Sequence, residues 1–232
     1  MAAFEGFSPQ TVSFYENLAQ NNTKEWFEAH KDTYKESVLG PAQDFLLAMG
    51  DRLRILSPAI IADTRMNGAG SIFRIYRDTR FSTDKSPYKP HLGILLWEGT
   101  RKKTECSGYY VHLEPPNLML GVGVYMFTKP LLKIYRDAVV HPEYSLALRE
   151  AVEGVKEMER YNIGGDHYKR VPRGYDADHR NAEYLRYNGL HVGIQTAIPD
   201  DFYRGAFIDY CFERFRDMAP VHHWLVSVLN QT

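Results

Sequence analysis

SGYYVHLEPPNLMLGVGVY, residues 107–125, decides the fold class. Its second half sets Leu118, Leu120, Val122 and Val124 against Met119, Gly121, Gly123 and Tyr125. That period of two belongs to a strand with one face in a core. Its first half, Ser107–Glu114, reads as the partner strand, with Tyr110, His112 and Glu114 sharing a face because they are two residues apart. Pro115, Pro116 and Asn117 between the halves are turn residues. The stretch is therefore an antiparallel hairpin. Gly121 and Gly123, on one face, leave room for a side chain, another backbone or a ligand.

Working outward, strand patterns continue on both sides of the hairpin. Leu92–Trp97 is a short apolar run bounded by Gly99, and Ser71–Tyr76 alternates Phe73 and Ile75 against Arg74 and Tyr76. These segments extend the hairpin into a meander. Leu190–Ile198 predicts one more strand. Helices flank the sheet. Ser8 and Pro9 form an N-cap with proline at the first helical position, and Thr23 caps a second helix carrying Trp26, Phe27 and Tyr34. Gly40 and Pro41 are expected to break that helix and open a third, with Phe45, Leu46, Met49 and Leu53 at helical spacing. Beyond the hairpin, Leu131, Leu132, Tyr135 and Val139 form one helical stripe, and a charged helix follows over residues 143–159. Residues 160–176 read as irregular. A helix is expected from Asp176 to Asn188, and a last one begins at Pro199, Asp200 and Asp201. The expectation is a single α+β domain over residues 1–232, with N-terminal helices, a mostly antiparallel sheet and C-terminal helices.

The formal net charge of −1 excludes a whole-protein basic footprint of the kind nucleic-acid-binding domains carry, so any basic site is local. Cys106 and Cys211 are far apart and lack CxxC partners, which reads as two reduced, buried thiols rather than a zinc site or a disulfide framework. MAAFEGFSPQ lacks the charged-then-apolar pattern of a signal peptide. No apolar run reaches the roughly 18 residues of a membrane span. The chain reads as a cytoplasmic protein without a membrane partner; the sequence specifies neither a cofactor nor an oligomeric state.

The segment FRIYRDTRFSTDKSPYKPH, residues 73–91, is where a site is expected. It places five cations (Arg74, Arg77, Arg80, Lys85 and Lys89) among Phe73, Tyr76, Phe81, Tyr88 and His91. Only Asp78 and Asp84 oppose them, leaving a local charge of +3. Guanidinium forks match phosphate and carboxylate, so clustered arginines make an anion site. On this reading Arg74, Arg77, Arg80, Lys85 and Lys89 hold a phosphorylated or carboxylated small molecule, Asp78 orients a guanidinium and Tyr88 walls the site. Two alternatives stay open. The cations and rings suit a nucleic-acid-binding module, the less favoured partner, in which rings stack bases. The charges also suit an internal ion-pair network in a non-catalytic scaffold.

His112 beside Glu114 has the makings of a general base, and His112 and His179 are the candidate catalytic residues. Asp176, Asp178 and His179 carry metal-ligating atoms, but no other segment supplies ligands at a recognised spacing, so no metal is expected and the acids read as a helix cap. His222 and His223 are expected on the surface. Serine-elbow, P-loop and dinucleotide glycine patterns are absent from the sequence. Whether the chain is an enzyme is left open by these residues.

The segment 73–91, together with NNTKEWFEAHKDTY (21–34), YYVHLEPPNLMLGVGVY (109–125) and VPRGYDADH (171–179), resembles the uncharacterised family called domain of unknown function 2461, DUF2461. The resemblance runs from about Phe7 to about His191. It implies a single-domain protein of a family without an established activity.

Overall fold

The computed structural model describes residues 4–230, so Met1–Ala3 of the N-terminal stretch lie outside the described residues. Helix α1 (Pro9–Gln20) starts where Ser8 and Pro9 place it, and α2 (Lys24–Ala29) is capped by Thr23, whose Oγ1 accepts the Trp26 amide at 3.2 Å. After the short α3 (Lys31–Tyr34), Gly40 and Pro41 do not break the helix. A π-helical turn over Lys35–Leu39 runs straight into α4 (Gly40–Leu53). Proline at 41 has no N–H for the carbonyl four residues back, at Ser37. Thr11 Oγ1 donates to that carbonyl at 2.5 Å instead, so the helix continues with its freed acceptor satisfied from α1.

The sheet has five antiparallel strands in the order β1-β2-β3-β5-β4: β1 Leu92–Glu98, β2 Ser107–Glu114, β3 Asn117–Val124, β4 Asn162–Asp166 and β5 Tyr187–Ala197. Helices α5 (Lys129–Val140) and α6 (Tyr144–Lys156) follow β3, and α7 (Phe207–Leu229) ends the described chain. The α+β class therefore stands. Among the described residues no helix is long and apolar enough to cross a membrane.

Three further expectations about the elements need correction. Residues 162–166 form β4, paired antiparallel with β5, although Gly164 and Gly165 read as loop punctuation. The glycines are there for approach: a β-carbon at Gly165 would lie 2.0 Å from the Gly189 carbonyl oxygen, and its φ of +117° is the left-handed side. No helix spans Asp176–Asn188; turns lead to a 3-10 segment at Tyr184–Arg186, and Asp176 Oδ1 caps a turn by accepting the Asp178 amide at 2.9 Å. Ser71–Tyr76 makes isolated bridges rather than a regular strand, burying Ile72 and Ile75 while Phe73 stays half-buried.

The chain divides into two compact units interleaved in sequence. The first comprises the N-terminal residues through Leu96, Tyr110–Leu120 and Gln195–Glu213. Its core is aromatic: Phe7 stacks on Phe202 with centroids 4.7 Å apart, and Phe45 packs on Phe207 at 5.4 Å. The second comprises Trp97–Tyr109, Gly121–Ile194 and the chain from Arg214. There Phe127 stacks on Tyr135 at 4.7 Å, and Tyr135 Oη donates to the Tyr184 carbonyl at 3.0 Å. His222 is fully buried in this unit, not on the surface. Its Nδ1 pairs with Ser107 Oγ at 2.9 Å, its Nε2 with Glu98 at 3.3 Å, and its ring packs on Tyr109. Cys106 and Cys211 are both buried and unbridged.

Candidate functional site

The 73–91 segment folds back on itself against β1. Phe73 N–H donates to Gly93 O, Leu95 N–H to Ser71 O, Lys89 N–H to Ile75 O and Arg77 N–H to Pro87 O, all at 2.8–3.0 Å. Residues 78–86 are left as a projecting loop. Tyr88 fixes its base. The ring is 2% exposed and stacks on Phe27 at 4.2 Å, and Asn22 grips both backbone groups: Tyr88 N–H donates to its Oδ1 at 3.1 Å and its Nδ2 donates to Tyr88 O at 2.9 Å. Tyr88 is an anchor to the helices rather than an open wall.

The five cations do not converge on one point. Arg77 pairs with Asp84, and Arg80 grips Asp78 through Nε at 2.9 Å and a terminal nitrogen at 2.7 Å. Lys85 donates to the Thr79 carbonyl at 2.9 Å. These three tie the projecting loop to itself. Both acids are held near pKa 2: Asp78 by the hydrogen bonds from Arg80, Asp84 by those from Ser86 and then Arg77. Phe81 stands at the tip with its ring 95% exposed.

Arg74 and Lys89 differ from the other three. Among the described residues neither makes an ion pair with a carboxylate, although Arg74 lies near enough for its charge to act on Asp78. Lys89 Nζ donates to the Arg74 carbonyl at 3.1 Å and lies 5.9 Å from the Phe73 ring centre. Burial, and then the Arg74 charge, lowers the Lys89 pKa. Phe73 meets Tyr110 edge-on at 6.0 Å.

From Tyr110 a polar row runs along β2. Tyr110 Oη pairs with His112 Nδ1 at 2.9 Å, and His112 Nε2 with Glu114 Oε2 at 3.3 Å. His91, one residue ahead of β1, lays its ring 4.3 Å from that of His112. Gly93 leaves room for Tyr110: a β-carbon there would stand 2.7 Å from Tyr110 Oη. A cavity of about 180 Å³ opens beside the row, lined by His112, Glu114, Asn117, Met119 and Gln195. His91 has its pKa pulled down to about 4, by burial first and then by His112, with Lys89 and Arg77 adding to it and Glu114 opposing. Burial pushes the Tyr110 hydroxyl up to about 12. At neutral pH His91 is thus an uncharged imidazole and Tyr110 an intact hydroxyl. His91, His112 and Glu114 each offer one ligand atom, and the three atoms all lie within 4.8 Å of one another, near enough to surround one cation.

His179 belongs to the second unit, where its Nδ1 accepts the Asn181 amide at 3.1 Å. It is not part of the row. Sequence reasoning missed His91, Gln195 and the hydroxyl of Tyr110. The alternation of β2 points to Tyr110, but only the pairing of β1 with β2 brings His91 to His112, and residues 99–106 between those strands carry no tight-turn signature that would set the register.

No curated protein matches the sequence. The model of the family described as conserved hypothetical protein (DUF2461) matches residues 10–224, a span that holds the basic segment, the β2 row and the cavity beside it, and the chain belongs to that family.

Proposed function

We propose that the protein binds a phosphorylated or carboxylated small molecule, with Arg74 and Lys89 taking the anion next to the Tyr110–His112–Glu114 row. The observation that carries this reading is Lys89: a half-buried ammonium with a depressed pKa, a second cation beside it and no carboxylate among the described residues. A bound anion would supply the missing charge. Arg77, Arg80, Asp78 and Lys85 serve by holding the loop, and Arg77 also adds to the positive field felt at His91. His112, held at both ring nitrogens, is the group in the row fit to carry a proton.

The test is calorimetric titration of the full chain with inorganic phosphate, sugar phosphates, nucleotides and dicarboxylates, comparing wild type with Arg74→Ala and Lys89→Ala. Binding at one site, weakened at least tenfold in both folded variants, is the expected result. Unchanged binding in both, or none in the wild type, rejects the reading. One observation favours a second reading: the bare Phe81 ring beside Arg80 suits base stacking in a nucleic-acid module. In that case single-stranded oligonucleotides bind with a steep salt dependence, and Phe81→Ala weakens them.

A further inference from the structure

We propose that His91, His112 and Glu114 form a binding site for one divalent first-row transition metal ion, with its open coordination positions facing the cavity beside β2. The donors come from two segments that the sheet brings together, and their ligand atoms lie within 4.8 Å of one another. The 3.3 Å between His112 Nε2 and Glu114 Oε2 is long for a hydrogen bond to a carboxylate. It matches the separation of two donor atoms in one metal shell, about 3.0–3.4 Å for bonds of about 2.1 Å. Glu114 is exposed and swings without disturbing the core, so closing the set needs side-chain rotation only.

The support around the ligands fits as well. A ligating imidazole normally holds its second nitrogen on an oxygen, which fixes ring and tautomer. Tyr110 Oη does this for His112 Nδ1 at 2.9 Å, and Gly93 leaves the space in which Tyr110 lies. A neutral imidazole at His112 carries one ring proton, which either nitrogen can hold against Tyr110 Oη or Glu114 Oε2. When the ion binds Nε2, the imidazole proton resides on Nδ1 and Tyr110 Oη accepts it, with no net loss of a proton. His91 stacks its ring 4.3 Å from that of His112, which sets the two imidazoles side by side. Two imidazoles and one carboxylate select zinc, iron or cobalt over magnesium or calcium, which prefer all-oxygen shells. Three protein ligands leave positions for water or for an oxygen of a bound molecule. With the ion in place His112 is a ligand, and its service as a proton carrier belongs to the ion-free protein. This inference goes beyond the anion reading and does not depend on it: Arg74 and Lys89 take no part in the metal set.

The experiment is titration of the chelator-stripped full chain with Zn²⁺, Co²⁺ and Mg²⁺ by calorimetry, with the visible absorption of Co²⁺ as a report on ligand type. The expected result is one Zn²⁺ or Co²⁺ per chain, no comparable Mg²⁺ binding, and an affinity reduced at least tenfold in His91→Ala and His112→Ala. Glu114→Gln, isosteric and exposed, keeps the test valid should a histidine variant fail to fold, and it too weakens binding about tenfold or more. His167→Ala, an exposed histidine elsewhere, leaves binding unchanged. Absence of a bound ion in the wild type, or binding indifferent to all three ligand substitutions, overturns the proposal. Because no anion is present in this titration, its failure is separate from a failure of the anion site, which is read with Arg74→Ala and Lys89→Ala.

Discussion

Replacing Asn22 with alanine removes the clamp that fastens the basic segment to the N-terminal helices. Two hydrogen bonds go, at 3.1 and 2.9 Å, and both backbone groups of buried Tyr88 lose their partner. A typical intramolecular hydrogen bond contributes about 1 kcal/mol net, and an orphaned buried group costs about 1–3 kcal/mol. Asn22 itself is half-buried, so water reaches part of the vacated space and the expected loss is about 2 kcal/mol. For a chain of this length that lowers Tm by about 4–8 °C. A second readout is local. Arg77, Arg80 and Lys85 are trypsin sites in or beside the projecting loop, and about 2 kcal/mol of easier opening corresponds to cleavage about 30-fold faster where reclosing outpaces cutting. The measurements are differential scanning calorimetry and timed trypsin digestion. A Tm within about 1 °C of wild type together with cleavage less than about threefold faster would refute the clamp.

Three other perturbations test separate parts of the structure. Arg77→Ala removes a largely exposed ion pair with Asp84, and such pairs add little stability, so Tm should fall by less than about 4 °C; a collapse of the fold would show that the loop pairs are structural supports. His222 has its pKa lowered by burial, against the opposing pull of Glu98, with Ser107, Tyr109 and His223 around it. A depressed pKa gives stability that is complete above the unfolded value of about 6.5 and is lost as pH falls through the folded value. Urea midpoints should therefore drop between pH 7.5 and 5.5, and His222→Gln should flatten that drop; equal slopes in the two proteins would contradict the assignment. Gly165→Ala drives a β-carbon to 2.0 Å from the Gly189 carbonyl at a φ of +117°, so β4 should detach, with hydrogen exchange in residues 162–166 rising while α1–α4 keep their protection. Unchanged exchange in β4 would refute the close approach.

What could be read from the chain follows from how local each signal is. The β2–β3 hairpin was legible nearly to the residue because period-two alternation and a proline turn are both local, and β2 runs over Ser107–Glu114 as expected while β3 begins one residue earlier. β4 was not legible, since Gly164 and Gly165 are set by the backbone of β5, which approaches them from far along the sequence. The π-turn escaped for the same reason: Pro41 is tolerated because Thr11, thirty residues earlier, takes the Ser37 carbonyl. In the basic segment the residue types were evident but their partners were not. Whether Arg77 faces Asp78 or Asp84 depends on the path of the loop, and it pairs with Asp84. His112 and Glu114 were visible as neighbours on a strand, whereas His91 joins them only through the pairing of β1 with β2.

The backbone bonds from Ser71 and Phe73 to the start of β1 have a bearing on how a ligand would reach the proposed site. β1 is an outer strand of the sheet, and Gly93 O and Leu95 N–H on its open side are taken by Phe73 and Ser71. An apolar outer strand stripped of that cover is a template for another chain. The basic segment therefore doubles as a guard against self-association, and it cannot swing away as a door without baring Leu92–Trp97. A ligand of the proposed anion site would therefore enter from the solvent side of the β2 row, and variants that loosen the segment should show themselves first as turbidity.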